Sequence, residues 1–285
     1  MSGRLLDGRD LASHLRRELE HRVVALRSTD EDAPPILAIL RDGSSEAAAV
    51  YAASLERAAR SVGMASRLVV AGPSDGPAVL EATVDALNDD PSVAGIVVAQ
   101  PFADAAAGRR LAERIDPSKD VDGATPTSAG RLARGEPAFV PATALAVVAM
   151  LEAHRIEVGG LRAVIVGRSA VVGRPVAHLL LARDATVMVC HRATRNLARE
   201  TRRAELLVAA AGTPRLIGPA MVNRSAIVID CGINAVDGRI IGDVDFEAVA
   251  PVVRAITPVP GGIGPVTPMM VLRQTVESAE RLTSR

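Results

Sequence analysis

A segment rich in proline and glycine, residues 257–267, constrains the fold more than any other part of the chain. Its sequence is TPVPGGIGPVT, with three prolines and three glycines in eleven residues and no charge. Proline fixes φ and cannot donate a backbone hydrogen bond, whereas glycine reaches backbone angles that other residues avoid. The segment is therefore predicted to be a loop of fixed shape, neither a helix nor a central strand. Linkers are usually polar, so we expect this loop to line a ligand site.

Composition excludes several classes of protein. The 285 residues suffice for one large or two modest domains, and 48% of them are apolar. The formal net charge is zero, so nothing indicates binding to nucleic acid or to an anionic membrane. Two cysteines and five histidines show no metal-ligand spacing, which predicts buried thiols and no metal site. The polar start and the absence of a long apolar run predict a soluble, cytoplasmic protein.

Strand-like and helix-like segments alternate along the chain, which predicts an α/β fold with parallel sheets covered by helices. A long apolar helix over residues 141–154 is expected to bridge two domains, because the alternation restarts after Gly159 and Gly160. The predicted strands are 35–40, 66–70, 93–99, 162–166, 186–190, 206–210, 226–230 and 255–257. The predicted helices are 10–26, 46–62, 78–88, 141–154, 173–182, 196–203 and 268–282.

The strand at 162–166 leads into a glycine turn and then a helix, the arrangement that presents backbone N–H groups to a pyrophosphate. The glycines are Gly167 and Gly173, a spacing that is weak evidence alone. NAD-specific units usually have an acidic residue after the second strand, but this chain has Arg192, with Arg168 in the first turn. Two guanidinium groups at these strand ends suit a 2′-phosphate, which predicts NADP rather than NAD.

Further motifs accompany this unit, namely KDVDG at 119–123, GRS at 167–169, CH at 190–191, DCGIN at 230–234 and GDV at 242–244. Together with segment 257–267, they resemble the methylenetetrahydrofolate dehydrogenase/cyclohydrolase (FolD) family over essentially the whole chain. The resemblance implies a folate-binding α/β domain over 1–140, with the helix 268–285 packing back on it. It also implies a Rossmann-type NADP-binding domain over 141–267, a cleft between the domains, and a homodimer.

The resemblance implies oxidation of 5,10-methylenetetrahydrofolate by hydride transfer to NADP, usually followed by hydrolysis to 10-formyltetrahydrofolate. Tyr51, the only tyrosine, would stack on the folate, and the Asp122 carboxylate would accept hydrogen bonds from the pterin edge. The implied cofactor-binding residues are Gly167, Arg168, Ser169, Gly173, Arg192, Thr194 and Ile233. The implied substrate loop is Pro260, Gly261 and Gly262.

The departures from the family pattern gather around the reacting carbon. Leu55 stands where the family has the lysine that serves the cyclohydrolase step, and leucine can neither give nor take a proton. Loss of a positioned proton-transfer group typically costs about 10²–10⁴-fold in rate. Ala99 takes the place of the family glutamine, and Gln100 follows one step later, so a slip of the strand end would be needed to bring it to the substrate. Ala48 replaces a family serine.

Four hypotheses remain open from the sequence. The first is an NADP-dependent methylenetetrahydrofolate dehydrogenase with a weak or absent cyclohydrolase step, because hydride transfer needs orientation rather than a strong base. The second is a repurposed paralogue that acts on another one-carbon or pterin-like substrate. The others are an ordinary bifunctional enzyme with a substitute proton carrier, and a folate- or nucleotide-binding protein without turnover.

Overall fold

The structure, a computed structural model, describes residues 3–27 and 34–283 and confirms an α/β fold. Residues 1, 2, 28–33, 284 and 285, which belong to the predicted domains, lie outside the described residues. The chain divides into two compact units. Ser13–Val140 and Pro268–Arg285 form the three-stranded unit, and Met1–Ala12 with Pro141–Thr267 form the six-stranded unit.

The elements in chain order are β1 (Arg4–Leu5), α1 (Gly8–Arg27), β2 (Ile36–Asp42), α2 (Glu46–Ser61), β3 (Ala65–Ala71), α3 (Pro77–Asp89), β4 (Val93–Ala99), α4 (Ala105–Glu113), α5 (Pro126–Ala133), α6 (Ala142–Ala153), β5 (Arg162–Val166), α7 (Gly173–Leu181), β6 (Thr186–Cys190), α8 (Leu197–Thr201), β7 (Leu206–Ala209), β8 (Ile227–Asp230), β9 (Asn234–Val236), β10 (Arg239–Ile241), α9 (Phe246–Val249), β11 (Ala255–Ile256) and α10 (Ile263–Thr283). A short 3₁₀ turn, Pro219–Met221, precedes β8.

The three-stranded unit is built on a parallel sheet in the order β3-β2-β4. Every residue of β4 is buried although β4 lies at the edge of this sheet, so both of its faces are covered. One face of the sheet packs on α3 and α4 through a single apolar cluster. That cluster includes Ala38, Leu40, Ile96, Val98, Leu80, Val84, Leu87, Leu111 and Phe102.

The six-stranded unit has a parallel sheet in the order β1-β11-β8-β7-β5-β6. Counted from β5, the order is that of a doubly wound sheet whose direction of winding reverses between β5 and β7. Ligands of such sheets bind at the carboxyl ends of the strands beside that reversal. A hairpin of β9 and β10 turns through Asp237 and Gly238, both with positive φ, as a two-residue hairpin loop requires.

The N-terminal segment joins the six-stranded sheet, a feature that the sequence did not predict. Leu5 of β1 pairs with Ile256 of β11, and Leu6 donates its N–H to the Ile256 carbonyl at 2.9 Å in the same ladder. The Leu6 side chain is fully buried. A strand of two residues is too short to show an alternation of apolar and polar side chains. It is recognised as a strand only from its pairing with β11.

The prediction that segment 257–267 is entirely non-helical is wrong for its second half. Helix α10 begins at Ile263 and includes Pro265. Pro265 is the third helical residue, and the first four N–H groups of a helix have no partner within the helix. A proline there removes no helical hydrogen bond, and Pro268 is the one proline that lies beyond this turn. The first half remains a loop, with φ of 115° at Gly261.

Two searches of the described residues bear on function. Within the described ranges, no helix has the length and apolar character needed to cross a bilayer. Among the same residues, no three histidine, cysteine or acidic side chains come together as a metal ion would require.

Candidate active site

Helix α2 places Tyr51 and Leu55 on one face, because residues four apart are neighbours on a helix. The Ser45 side chain caps the helix by accepting the Ala48 N–H at 3.2 Å. Leu55 is completely buried. Tyr51 therefore has a buried apolar side chain as its neighbour one helical turn later.

Tyr51 and Asp122 interact in the three-stranded unit. Burial raises the pKa of the Tyr51 hydroxyl well above its ordinary value, and the negative charge of Asp122 raises it further. The phenol is thus neutral at physiological pH. The pair offers a flat ring and a carboxylate acceptor, which is chemistry suited to a flat ligand with N–H donors at its edge.

Lys119 and Asp120, the two residues before Val121, are both buried and hydrogen-bonded within the three-stranded unit. Lys119 is 6% exposed, and its Nζ donates to the carbonyls of Leu87, Asn88 and Asp90 at 3.3, 2.6 and 2.7 Å. Desolvation lowers the pKa of this amine, while nearby aspartates oppose the shift. The only lysine of the chain therefore has its N–H donors engaged by carbonyls at the end of α3.

The Asp120 carboxylate stabilises the turn that leads into α5. Its buried carboxylate accepts the N–H groups of Ala124 and Thr125 at 2.8 and 2.9 Å and the Ser128 hydroxyl at 2.6 Å. Burial raises the pKa of Asp120 despite these hydrogen bonds. Thr125 then caps α5 by accepting the Ser128 N–H at 3.0 Å.

Gln100 follows β4 with its side chain on the α4 side of the sheet. Its Oε1 accepts the Phe102 N–H at 3.2 Å, and a Cβ on Gly108 of α4 would lie 2.8 Å from its Nε2. Ala99, one residue earlier, is 1% exposed and belongs to the opposite face by alternation. The Gln100–Pro101 peptide is cis. A contact of Gln100 with substrate stays a prediction.

The glycine turn after β5 is tight enough to exclude side chains. A Cβ on Gly167, whose φ is 136°, would lie 2.0 Å from the Ala210 carbonyl oxygen, and a Cβ on Gly173 would lie 2.2 Å from that of Gly167. The Ser169 hydroxyl accepts the N–H groups of Val172 and Gly173 at 3.1 and 3.4 Å. The turn is therefore closed by backbone packing that only glycine permits, and it leads directly into the N-terminus of α7.

The other predicted cofactor residues lie at the same edge of the sheet, after β5, β6 and β8. Arg168 and Arg192 are both exposed, as a site for an anionic group requires. Thr194 shapes the turn after β6, where its hydroxyl accepts the His191 N–H at 2.9 Å. Ile233 is 70% exposed, an unusual state for isoleucine. The glycine cradle and the two guanidinium groups fit a dinucleotide with a 2′-phosphate.

Two buried aspartates, Asp230 and Asp243, accept hydrogen bonds from the loops at this edge of the sheet. The sequence analysis gave neither of them a role. Asp243 is fully buried and accepts the N–H groups of Ala211, Gly212 and Thr213 at 2.5, 2.9 and 2.9 Å. Its Oδ1 also accepts the Asn234 side-chain amide at 2.9 Å. The motifs DCGIN and GDV were visible, but their aspartates meet only because β7 and β8 are neighbours.

Asp230 is the second of these aspartates. Its carboxylate accepts the N–H groups of Gly232, Asp243 and Val244 at 2.8, 3.0 and 2.9 Å. Burial raises the pKa of Asp230 to about 6, although the backbone donors oppose that shift. The loops after β7 and β8 are thus held by buried carboxylates rather than by regular structure.

The predicted substrate loop is fixed by the N-terminal segment of its own unit. Gly8 donates its N–H to the Gly261 carbonyl at 2.8 Å, and a Cβ on Gly261 would lie 2.7 Å from the Arg9 guanidinium. A Cβ on Gly8 would lie 1.9 Å from the Gly262 oxygen. The Val259–Pro260 peptide is cis. The loop is rigid, and its role toward substrate stays a prediction.

Comparisons with known proteins agree across the whole chain. The family model described as the tetrahydrofolate dehydrogenase/cyclohydrolase catalytic domain matches residues 6–122. The NAD(P)-binding domain of the same family matches residues 141–283.

One curated relative is "Bifunctional protein FolD" of Parafrankia sp. (strain EAN1pec), 46% identical over 276 residues, which cover 97% of this chain and 99% of the relative. The crystal structure of the bifunctional enzyme FolD from Campylobacter jejuni has a TM-score of 0.94 and 40% identity, covering 97% and 98% of the two chains. The Trypanosoma brucei enzyme, complexed with NADP cofactor and inhibitor, has a TM-score of 0.95 and 32% identity over all of both chains.

Proposed function

The chain belongs to the tetrahydrofolate dehydrogenase/cyclohydrolase family, and from that membership we propose that it oxidises 5,10-methylenetetrahydrofolate by hydride transfer to NADP. The observation that supports this activity best is the tight glycine turn after β5, where Gly167 and Gly173 pack so closely on neighbouring backbone that no side chain fits, directly before the N-terminus of α7. A relative of known structure is complexed with NADP.

The residues of the six-stranded unit would hold the cofactor. The N–H groups at the start of α7 face the pyrophosphate, and Arg168 and Arg192 pair with the 2′-phosphate. When bound, NADP supplies the hydride acceptor. Ser169, Thr194 and Ile233 complete the cofactor-binding set that the family resemblance implies.

The residues of the three-stranded unit would orient the folate. The Tyr51 ring covers the flat substrate, and the Asp122 carboxylate accepts its edge N–H groups. Pro260, Gly261 and Gly262 line the substrate in this proposal. Orientation of two reactants can account for most of such an acceleration, so the oxidation requires no strong base from the protein.

For the hydrolytic step, the comparisons favour the ordinary bifunctional enzyme. Relatives that match nearly the whole chain carry the name "Bifunctional protein FolD", and the structure from Campylobacter jejuni is described as methylenetetrahydrofolate dehydrogenase/cyclohydrolase. In this form, the water that attacks the methenyl carbon is activated by a group other than residue 55.

A dehydrogenase with weak hydrolysis is the second candidate, and Leu55 is the observation that favours it. Its side chain is apolar and completely buried on the face of α2 that carries Tyr51. A repurposed paralogue and a binding protein without turnover remain as outcomes of the test below.

The test uses the absorbance of methenyltetrahydrofolate in two assays on purified protein. One starts from methylenetetrahydrofolate and NADP; the other follows loss of methenyltetrahydrofolate above the uncatalysed rate. Acceleration in both identifies the bifunctional enzyme, and methenyl accumulation without faster loss identifies the second candidate. No accelerated change of absorbance in either assay, with NADP still bound, would contradict the proposed function and favour another substrate or a binding role.

The family resemblance also underlies three proposals about context. We propose a homodimer, a cytoplasmic location, and a functional division of the chain at residue 140. Light scattering coupled to size-exclusion chromatography measures the mass directly, and a single mass near 29.6 kDa would contradict the dimer.

A further inference from the structure

The backbone that leads to Asp122 lies across β4. The Ile96 N–H donates to the Lys119 carbonyl at 2.8 Å. Val121 is fully buried against Gly95, where a Cβ would lie 2.7 Å from both Val121 methyl groups. Glycine at position 95 therefore lets the segment sit directly on the strand.

Gln274 of α10 holds this segment from the other side. Its Nε2 donates to the carbonyls of Val121 and Val140 at 2.7 and 2.8 Å, and its Oε1 accepts the Val140 N–H at 2.8 Å. The residue is 3% exposed. Its donor and acceptor atoms are thus used inside the unit, on two segments that are far apart in sequence.

The bond to Val121 has a direct geometric consequence for Asp122. The Val121 carbonyl and the Asp122 N–H belong to one planar peptide group. A hydrogen bond that fixes the carbonyl therefore fixes the plane from which the Asp122 side chain departs. Hydrogen bonds that a carboxylate accepts from a ligand weaken steeply when their angle is wrong.

We propose that Gln274 is a positioning residue, which holds the Val121–Asp122 peptide so that the Asp122 carboxylate faces the Tyr51 ring. This inference rests on the proposed function in one respect, that Asp122 binds the substrate. A buried amide is retained in a helix only where its polar atoms find partners, and here one partner adjoins the binding carboxylate.

The decisive variant is Gln274→Met, which keeps the side-chain length and removes its hydrogen bonds. Ser278→Ala is the matched control, because the Ser278 hydroxyl on the same helix donates to the Ser118 carbonyl at 2.9 Å, four residues before Asp122. Both changes remove buried hydrogen bonds and lower thermal stability. Only Gln274→Met is expected to raise the KM for folate, by about tenfold, with the KM for NADP within about twofold.

Tyr51 supplies a second readout that needs no turnover. The chain has one tyrosine and no tryptophan, so tyrosinate absorbance reports on this site alone. Burial and then the Asp122 charge raise the pKa of Tyr51, so displacement of Asp122 should let tyrosinate form at lower pH. The titration is read only where circular dichroism shows that the fold is intact, with Asp122→Asn as the reference for loss of the charge.

The outcomes separate the two proposals. If wild type shows no turnover but Gln274→Met shifts the Tyr51 titration, the proposed function fails and the positioning role stands. If Gln274→Met folds with an unchanged folate KM and an unchanged titration, or matches Ser278→Ala in both, the positioning role is overturned. Should Gln274→Met fail to fold, Gln274→Asn, which keeps the amide one methylene shorter, is judged by the same two criteria.

Discussion

Asp243 donates its backbone N–H to the Asp230 carboxylate at 3.0 Å, while its own carboxylate accepts three successive N–H groups from residues 211–213. One buried residue thus connects the loops that follow two neighbouring strands, β7 and β8. These loops form the rim of the proposed cofactor site.

Asp243→Asn should weaken cofactor binding. An amide has only one acceptor oxygen, so one pair of the N–H donors that the carboxylate accepts would meet an NH₂ group instead. We expect this loss to lower the free energy of unfolding by about 2–3 kcal/mol. We expect a KM for NADP raised about tenfold and a nearly unchanged KM for folate. Asp245→Asn is the control, since Asp245 caps no N–H of α9 in the described part of the chain. Equal effects of the two variants would contradict the role.

The raised pKa of Asp230 predicts that the stability of the protein depends on pH. Its pKa is about 6 in the folded protein and 3.8 in its ordinary state, so the folded protein binds the proton more tightly. The stabilisation from this group is complete below the unfolded pKa and is lost as the pH rises through about 6. Lowering the pH from about 6 to about 4.5 should therefore raise the free energy of unfolding by about 1.5 kcal/mol.

Urea unfolding at several pH values measures this change, and Asp230→Asn should flatten it. Asp120, whose pKa burial also raises, contributes with the same sign and is controlled by Asp120→Asn. A wild-type protein that instead loses stability steadily between these pH values would rule out the assignment.

Leu55→Lys tests whether one side chain limits hydrolysis. A lysine at this buried position has its pKa lowered by desolvation, which suits proton transfer. We expect faster loss of methenyltetrahydrofolate, by about 10²-fold or more, with lower stability because a charge is buried. Leu55→Met, equally apolar, should show no gain. If folded Leu55→Lys gains nothing, the site differs from its relatives by more than this side chain.

Lys119→Met should reduce stability without a specific effect on catalysis. Three carbonyls at the end of α3 lose a charged donor, which lowers the free energy of unfolding by about 2–4 kcal/mol. Denaturant unfolding measures the loss, and kcat/KM of the folded fraction should stay within about twofold. Lys119→Arg should recover part of the stability. A selective collapse of turnover in a stable variant would instead place Lys119 in the chemistry.

The double variant Arg168→Gln, Arg192→Gln should lose preference for NADP over NAD. Each charge-assisted contact with a 2′-phosphate contributes about 1.5–3 kcal/mol, so the ratio of the two kcat/KM values should fall at least tenfold. Arg224→Gln is the control, because Arg224 is exposed just before β8, at the opposite edge of the sheet. An unchanged ratio would mean that other residues select the cofactor.

The parallel strands with apolar sequences were the most predictable part of the fold. Predicted bounds agree with the structure for Val93–Ala99, Arg162–Val166 and Thr186–Cys190, because apolar runs bounded by turn residues identify strands. Helices α4 and α5 were missed. The Thr125–Pro126 pair at the start of α5 was a readable signal, since a capping threonine followed by proline is typical of a helix start.

The site could be predicted from the sequence only where all the interacting residues belong to one short motif. The glycine turn at Gly167 and Gly173 is local, so its shape follows from nearby sequence. The contacts of Gln274 and Asp243 join segments 153 and 30–32 residues apart, and no local pattern encodes such pairs. The side chain of Gln100 depends on which face of β4 it continues, which the sequence left open.

The pairing of β1 with β11 has a consequence for how the protein is made. Each unit is assembled from two segments that are far apart in sequence, so neither is one continuous stretch of the chain. The three-stranded unit is complete only when α10 has been synthesised. The six-stranded sheet is complete only when β11 has been synthesised and pairs with β1, which precedes it by some 250 residues. A cut after residue 140 would leave the first fragment without α10 and the second without β1, so neither fragment would contain every element of its unit.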